Sequence, residues 1–365
     1  MSVLQAVDWR RYAVSADIEG FEDDATATST KWSRSGSSTL SAGTGRFGQN
    51  SVVCQSGSAQ LLKIMLPSGL FTGTTLIVSM DVKFESNATS AVNFGVPIFE
   101  VSGATGSHLK IYLDSGGTIQ IMGAAGTFLG RAQHVFETGV WHTMEIKVNL
   151  ADAGSLSMNL DGIAIFTSLS GDFKQDAGAL TLLNVWLAGR QNTYYGDMVI
   201  MDTAGTVNND FLTDFRFELQ IPDADGATLN WTASAGTRFQ TIDDAIGFSS
   251  GASGAGYDTD YISDNTLNDI NMSSHGAVTA SGYTAIQFTA LVVVSRADTA
   301  GDKVAMLATS SASTTTGPDL GLKVSGAPIA ADYRWRRAYF DKDPNGSIAW
   351  TPTSINAAEF GVKKR

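Results

Sequence analysis

Apolar side chains recur at every second position through much of the chain. Met144, Ile146, Val148 and Leu150 alternate with Glu145, Lys147 and Asn149, and after a turn at 151–155, Leu156, Met158 and Leu160 alternate with Ser157 and Asn159. A period of two puts one set of side chains in a core and the other toward water, so each run predicts a half-buried strand. Asp161-Gly162 supplies a two-residue hairpin turn into 163–166, which makes the three runs an antiparallel meander. Further strands are predicted at 76–84, 96–101, 110–113, 118–122, 185–187 and 194–201. Phe215, Phe217, Leu219 and Ile221 repeat the alternation, so a second series is expected from Phe211 onward, with strands at 257–262, 267–272, 285–296, 303–308, 319–324, 333–340 and 359–363.

No long stretch carries the i, i+3, i+4, i+7 spacing of an amphipathic helix. Short strands between Gly, Ser, Asn and Asp turns mark sandwiches and barrels. The expected fold is therefore all-β, with two β-sandwich (jelly-roll) domains in tandem. A turn-rich bridge near 202–210 divides them, giving an arm at 1–14, a first domain at 15–205 and a second at 206–365. Trp9, Arg10, Arg11 and Tyr12 make the arm aromatic and basic, and it is expected to lie on a neighbouring subunit.

Composition narrows the function classes. The 365 residues include 24 Lys and Arg against 36 Asp and Glu, a net charge of −12, so no basic face for tracking nucleic-acid phosphates is expected. Hydrophobic residues at 43% supply enough material for cores and exclude global disorder. No apolar run reaches the ~20 residues of a membrane-spanning helix, and no membrane insertion is expected. Asp8 interrupts the amino terminus before an apolar core forms, so no secretory signal is read and synthesis in a cytoplasm is expected. A lone Cys54 excludes an intramolecular disulfide framework and reads as a small buried hydrophobe on a strand.

Several motifs invite chemistry and lack its context. Gly43-Thr44-Gly45-Arg46-Phe47-Gly48 matches the dinucleotide fingerprint, but a strand follows it where a helix is needed, so it reads as a turn. Gly247-Phe248-Ser249-Ser250-Gly251 matches a nucleophile elbow but sits in a Gly- and Ser-rich loop. Asp341-Lys342-Asp343-Pro344-Asn345-Gly346 opens like a calcium loop, yet Pro352 stands where the bidentate Glu belongs, so a hairpin turn is expected. Asp223-Ala224-Asp225-Gly226 is read as a turn as well. His108, His134, His142 and His275 have no ligand spacing, and Glu22-Asp23-Asp24 reads as a solvated loop. No cofactor, metal or catalytic constellation is expected, and an enzyme is not supported at this level. Arg190, Asn192, Tyr194 and Tyr195 lie on a polar, aromatic loop that suits a shallow glycan site, because sugar ring faces stack on aromatics while amides and Arg take hydroxyls. Local packing or a subunit contact is the competing reading of these residues.

The segments Arg46–Val53, Gly139–Val148, Leu160-Asp161-Gly162 and Gly196–Asp202 resemble the laminin-G/concanavalin-A-like jelly-roll pattern over about residues 15–205. The following 208–226, with Asn230-Trp231-Thr232 and the closing 350–362, is similar to a tailed-phage virion protein family in which a jelly roll precedes a second β domain. That resemblance implies a non-enzymatic virion structural protein, tail or tail-fibre associated. It also implies a homo-oligomer, a trimer favoured, that contacts other virion proteins and host-surface glycan. A capsid decoration or head-fibre protein is the first alternative, and a polysaccharide depolymerase the second.

Overall fold

The structure, a computed structural model, describes residues 3–7, 31–35, 39–41, 44–47, 50–54, 61–66, 71, 73–85, 97–114, 116–175, 180, 183–189, 192–243, 261–278, 286–295, 302–321 and 334–365. It is all-β, and the chain divides into two compact units, Ser2–Phe217 and Glu218–Arg365. Residues 206–217, expected in the second domain, pack with the first.

The first unit is a two-sheet sandwich. Its strands are β1 (Val3–Val7), β2 (Lys31–Ser35), β3 (Thr39–Ser41), β4 (Ser51–Cys54), β5 (Leu61–Leu66), β6 (Thr75–Phe84), β7 (Phe99–Ser102), β8 (Ser107–Leu113), β9 (Thr118–Met122), β10 (Phe128–Val135), β11 (Trp141–Asn149), β12 (Gly154–Leu160), β13 (Ile163–Gly171), β14 (Leu183–Ala188) and β15 (Thr193–Asp202). One sheet has the order β13-β12-β11-β6-β15-β4-β3, with β1 also on β15, and the other β10-β9-β8-β7-β14-β5-β2. The predicted meander is β11-β12-β13. Asp161 at φ 51° and Gly162 at φ 76° make its turn, as a type I′ hairpin requires.

The alternation read from the sequence builds the core between the sheets. Leu76, Val78, Met80, Val82 and Phe84 of β6 and Met144, Ile146 and Val148 of β11 meet Leu62, Ile64, Val101, Ile111, Ile121, Val185 and Leu187 of the other sheet. Burying each such side chain contributes about 1.5–3 kcal/mol before conformational entropy is counted. Cys54 is a fully buried free thiol on β4, as expected.

The expectation of a separate arm at 1–14 is corrected for its first residues. Val3–Val7 pairs antiparallel with β15 of its own chain, so this stretch completes the eight-stranded sheet. Trp9, Arg10, Arg11 and Tyr12 lie outside the described residues.

The second unit holds β16 (Pro222–Leu229), β17 (Thr232–Ala233), β18 (Ile262–Ser263), β19 (Ile270–His275), β20 (Thr289–Ser295), β21 (Lys303–Ser310), β22 (Ser313–Gly321), β23 (Arg334–Phe340), a short helix α1 (Pro352–Asn356) and β24 (Glu359–Lys364). A five-stranded sheet, β16-β19-β24-β21-β22, and a β20-β23 ribbon enclose Met306, Ala308, Phe340, Trp350 and Ile355. The predicted strand through Phe215 and Phe217 does not form; residues 207–217 pair with no strand. Asp223-Ala224-Asp225-Gly226 is likewise not a turn but part of β16. Asp225 there accepts the Phe239 amide at 2.8 Å, and Asp223 the Ser274 hydroxyl at 3.0 Å.

Candidate functional site

Side chains that face away from the core come from the alternate positions of each strand, and register decides which of them meet. On the seven-stranded sheet the register sets Lys63, Trp186, Glu100, Lys110 and Met122 side by side across β5, β14, β7, β8 and β9. Four strand spacings make this a band about 19 Å long. A second rank, Tyr112, Gln120 and Arg131, runs beside it on β8, β9 and β10.

The band is built to hold its shape. The Trp186 indole N–H donates to Ser102 Oγ at 2.8 Å, and the Lys63 ammonium stands 4.8 Å from the centre of its ring. Burial lowers the Lys63 pKa. Ser107 donates its hydroxyl to Glu100. Asp114, at the end of β8, organises the second rank. It accepts the amides of Gly116 and Thr118 at 2.9 Å, Gln120 Nε2 at 3.3 Å and Arg131 Nη2 at 2.5 Å. Burial pushes the Asp114 carboxyl up, but these donors together outweigh it and hold the group below its ordinary value. Burial, helped by Glu100, raises the Tyr112 phenol, so this group stays a proton-bearing donor. An indole therefore lies among ammonium, guanidinium, amide and phenol donors, all on one face.

The eight-stranded sheet carries the residues singled out from sequence. Trp141, Lys83 and Tyr194 form a rank across β11, β6 and β15, with the Lys83 ammonium 5.5 Å from the Trp141 ring centre and 4.3 Å from that of Tyr194. Tyr194 and Asn192 both donate to the Glu85 carboxylate, Asn192 at 2.8 Å. The bond to Glu85, reinforced by desolvation, pushes the Tyr194 phenol up to about 12. Tyr195 is not a glycan contact. It points the other way along the strand into the core, 1% exposed, with its hydroxyl 2.6 Å from the carbonyls of Ile98 and Ala188. Arg190 lies outside the described residues. The sequence reading thus joined two neighbours that a period of two sends to opposite faces.

Deeper on this same face, Ser79, Asp81, Thr143 and Glu145 are buried. Residues 207–217 cover them, with Leu212 and Phe215 buried and the Thr213 amide donating to Glu145 at 2.9 Å. This face is occupied by the chain itself.

Among the described residues, no group of three or more His, Cys, Asp or Glu side chains could share a metal ion. The Asp341 loop is a turn: Asp343 accepts the Asn345 amide at 2.8 Å and closes a bridge to Ile348. In the second unit a cavity of about 390 Å³ is lined by Thr309, Ser310, Thr351, Thr353, Ser354 and Glu359. Both Glu359 oxygens are engaged by the Ala227 amide. No helix among the described residues is long and apolar enough to cross a membrane.

No family profile matches the chain, and no curated protein does. Solved structures do. A carbohydrate esterase of the Shiga toxin-encoding bacteriophage phi24B is 15% identical, with a TM-score of 0.37 over 55% of this chain and 97% of that one. The alginate lyase vAL-1 of a Chlorella virus is 11% identical, with a TM-score of 0.38 over 55% and 99%. The alginate lyase Aly36B, solved with an alginate tetrasaccharide, is 14% identical, with a TM-score of 0.35 over 55% and 96%. Likenesses this distant transfer neither substrate nor residue roles. The expectation that the chain is not an enzyme does not stand: it rests on the lack of a linear motif, while the chains named here are themselves an esterase and two lyases. An outer sheet face collects its side chains from separate strands by register, so a missing linear motif is no ground for excluding catalysis.

Proposed function

We propose that the first unit lays an extended saccharide across the outer face of its seven-stranded sheet, and that the chain does so as part of a tailed-phage particle. The observation that carries the first half is the in-register band Lys63, Trp186, Glu100, Lys110 and Met122, bordered by Tyr112, Gln120 and Arg131. An indole offers an apolar plate to the C–H face of a sugar ring, and the flanking donors take its hydroxyl and acidic oxygens. A band about 19 Å long suits several sugar units of a polymer better than a single small molecule. The particle context rests on the sequence resemblance of 208–226 and 350–362. Repeating the band around a homotrimer would turn weak contacts into avidity.

The experiment incubates the chain with purified capsule and lipopolysaccharide polysaccharides and reads both retention in affinity electrophoresis and polymer length. Retention by at least one polysaccharide, lost on Trp186→Ala, is the expected result. No retention by any of them removes the reading, and shortened polymers would make the same face an active site. Immunogold labelling of particles tests the context: label on tails is expected, whereas label on heads moves the chain to the capsid.

A further inference from the structure

Residues 207–217 cross the eight-stranded sheet without pairing to any strand, and side-chain carboxylates take the hydrogen bonds a neighbouring strand would have made. Glu145 Oε1 accepts the Thr213 amide at 2.9 Å and the Ser79 hydroxyl at 3.1 Å. Asp197 Oδ2 accepts the Phe217 amide at 3.2 Å. Asp197 reaches this face because β15 carries one extra residue between Tyr195 and Met198, a bulge that re-aims its side chain. Gly196 in the same bulge has no room for a side chain: a Cβ there would lie 2.9 Å from that of Asp81 and 3.3 Å from the Trp141 ring. Thr213, a β-branched residue, sits at φ 64°, a strained conformation that the surrounding contacts must hold.

The charges under this strap do not balance residue by residue. Arg46 lies 3.1 Å from Asp81 and 2.7 Å from Asp214 of the strap, and it also donates to Thr143. Lys147 pairs with Asp210 of the strap at 3.1 Å. Of the other charged groups nearby, Asp161 accepts the Thr143 amide at 2.8 Å and pairs with His142, buried Asp197 takes the Phe217 amide, and Arg216 belongs to the strap itself. The strap's Asp214 and Asp210 thus engage Arg46 and Lys147, so Asp81 shares Arg46, and among the described residues no cation pairs with Glu145. Both acids are fully buried, and Asp81 Oδ2 and Glu145 Oε2 find no hydrogen-bond partner. A dry, unpartnered carboxylate oxygen is costly when charged and far less so when the acid is neutral.

We propose that residues 207–217 form a proton-coupled strap, whose closed position over the eight-stranded sheet is favoured when Asp81 and Glu145 take up protons. Desolvation raises the Asp81 carboxyl from 3.8 to about 6, against the opposing pull of Arg46 and Thr143. Glu145 is raised as well, again by burial, despite the Thr213 and Leu212 amides and the Ser79 and Asn159 side chains. With the strap open, water reaches both acids and they titrate as ordinary carboxylates. The proton-linked preference for the closed strap is therefore complete below about pH 4 and lost as pH rises through about 6.

Amide hydrogen exchange on the full chain between pH 7.5 and 5.0, corrected for intrinsic exchange rates, reads the strap directly at Leu212, Thr213 and Phe217. One proton taken up by Asp81 predicts about a tenfold rise in their protection over this range. The double variant Asp81→Asn, Glu145→Gln is expected to show a flat profile. Protection that stays constant or falls with acid in the native chain overturns the proposal even if the variant does not fold. So does a rise that persists in the variant, or strap amides that exchange only together with those of β6.

Discussion

On the eight-stranded face the side chains that alternate with the core include Ser79, Asp81, Thr143 and Glu145, all buried; on the seven-stranded face they include Lys63, Glu100, Lys110 and Trp186, all partly exposed. Both sets arise from the same period of two, and both are polar. The difference lies in what covers them. The acids of the first face are sealed by the chain's own residues 207–217, which supply backbone amides to Glu145 and Asp197. On the second face cations, amides and an indole are braced by one another and by Ser102 and Asp114, and no described strand or strap closes over them. A sheet face can engage its polar groups with its own chain or with a ligand; the eight-stranded face does the first, and the second is what we propose for the seven-stranded face.

This contrast can be broken from either side. The largest effect is expected in the strap, where Phe215→Ala removes a buried ring and should cost the first unit about 3 kcal/mol in urea denaturation, while saccharide retention is unchanged. Glu145→Ala comes next, because it strands the Thr213 amide under the strap; a loss of about 2 kcal/mol is expected by the same measurement. Trp186→Ala on the open face should reverse the pattern, weakening saccharide binding by about tenfold, or 1.4 kcal/mol, with the unfolding midpoint nearly kept. Arg131→Ala is the smallest, since its partly exposed pair with Asp114 contributes at most about 1 kcal/mol to stability, and a few-fold loss of affinity by titration calorimetry is expected. Strap variants that abolish binding, or open-face variants that unfold the unit, would erase the distinction.

Much of the architecture was legible. The meander β11-β12-β13, its Asp161-Gly162 turn and the positions of β6, β9 and β15 follow from alternation and turn chemistry, because each is a local property of the chain. The strap was misread for an instructive reason: Phe215 and Phe217 alternate as in a strand, but their backbone partners are carboxylates on distant strands. Helix α1 was missed although Thr351-Pro352-Thr353-Ser354 carries its start signal, a capping box in which Thr351 accepts the Ser354 amide, with Pro at the first turn. The open face was not seen at all. Lys63, Glu100, Lys110, Arg131 and Trp186 are scattered over 124 positions (186 minus 63, counted inclusively), and only the strand order β10-β9-β8-β7-β14-β5 makes them neighbours. Each sits at a polar position of a strand, so once the register is known the signal is plain.

The central claim is that saccharide is held on the seven-stranded face and not beside Tyr194. Its most direct test compares the affinity of the native chain, Trp186→Ala and Tyr194→Ala for one retained polysaccharide under identical conditions. The account predicts about a tenfold loss for Trp186→Ala and native affinity for Tyr194→Ala. Native affinity in Trp186→Ala, with the loss appearing in Tyr194→Ala, would contradict it.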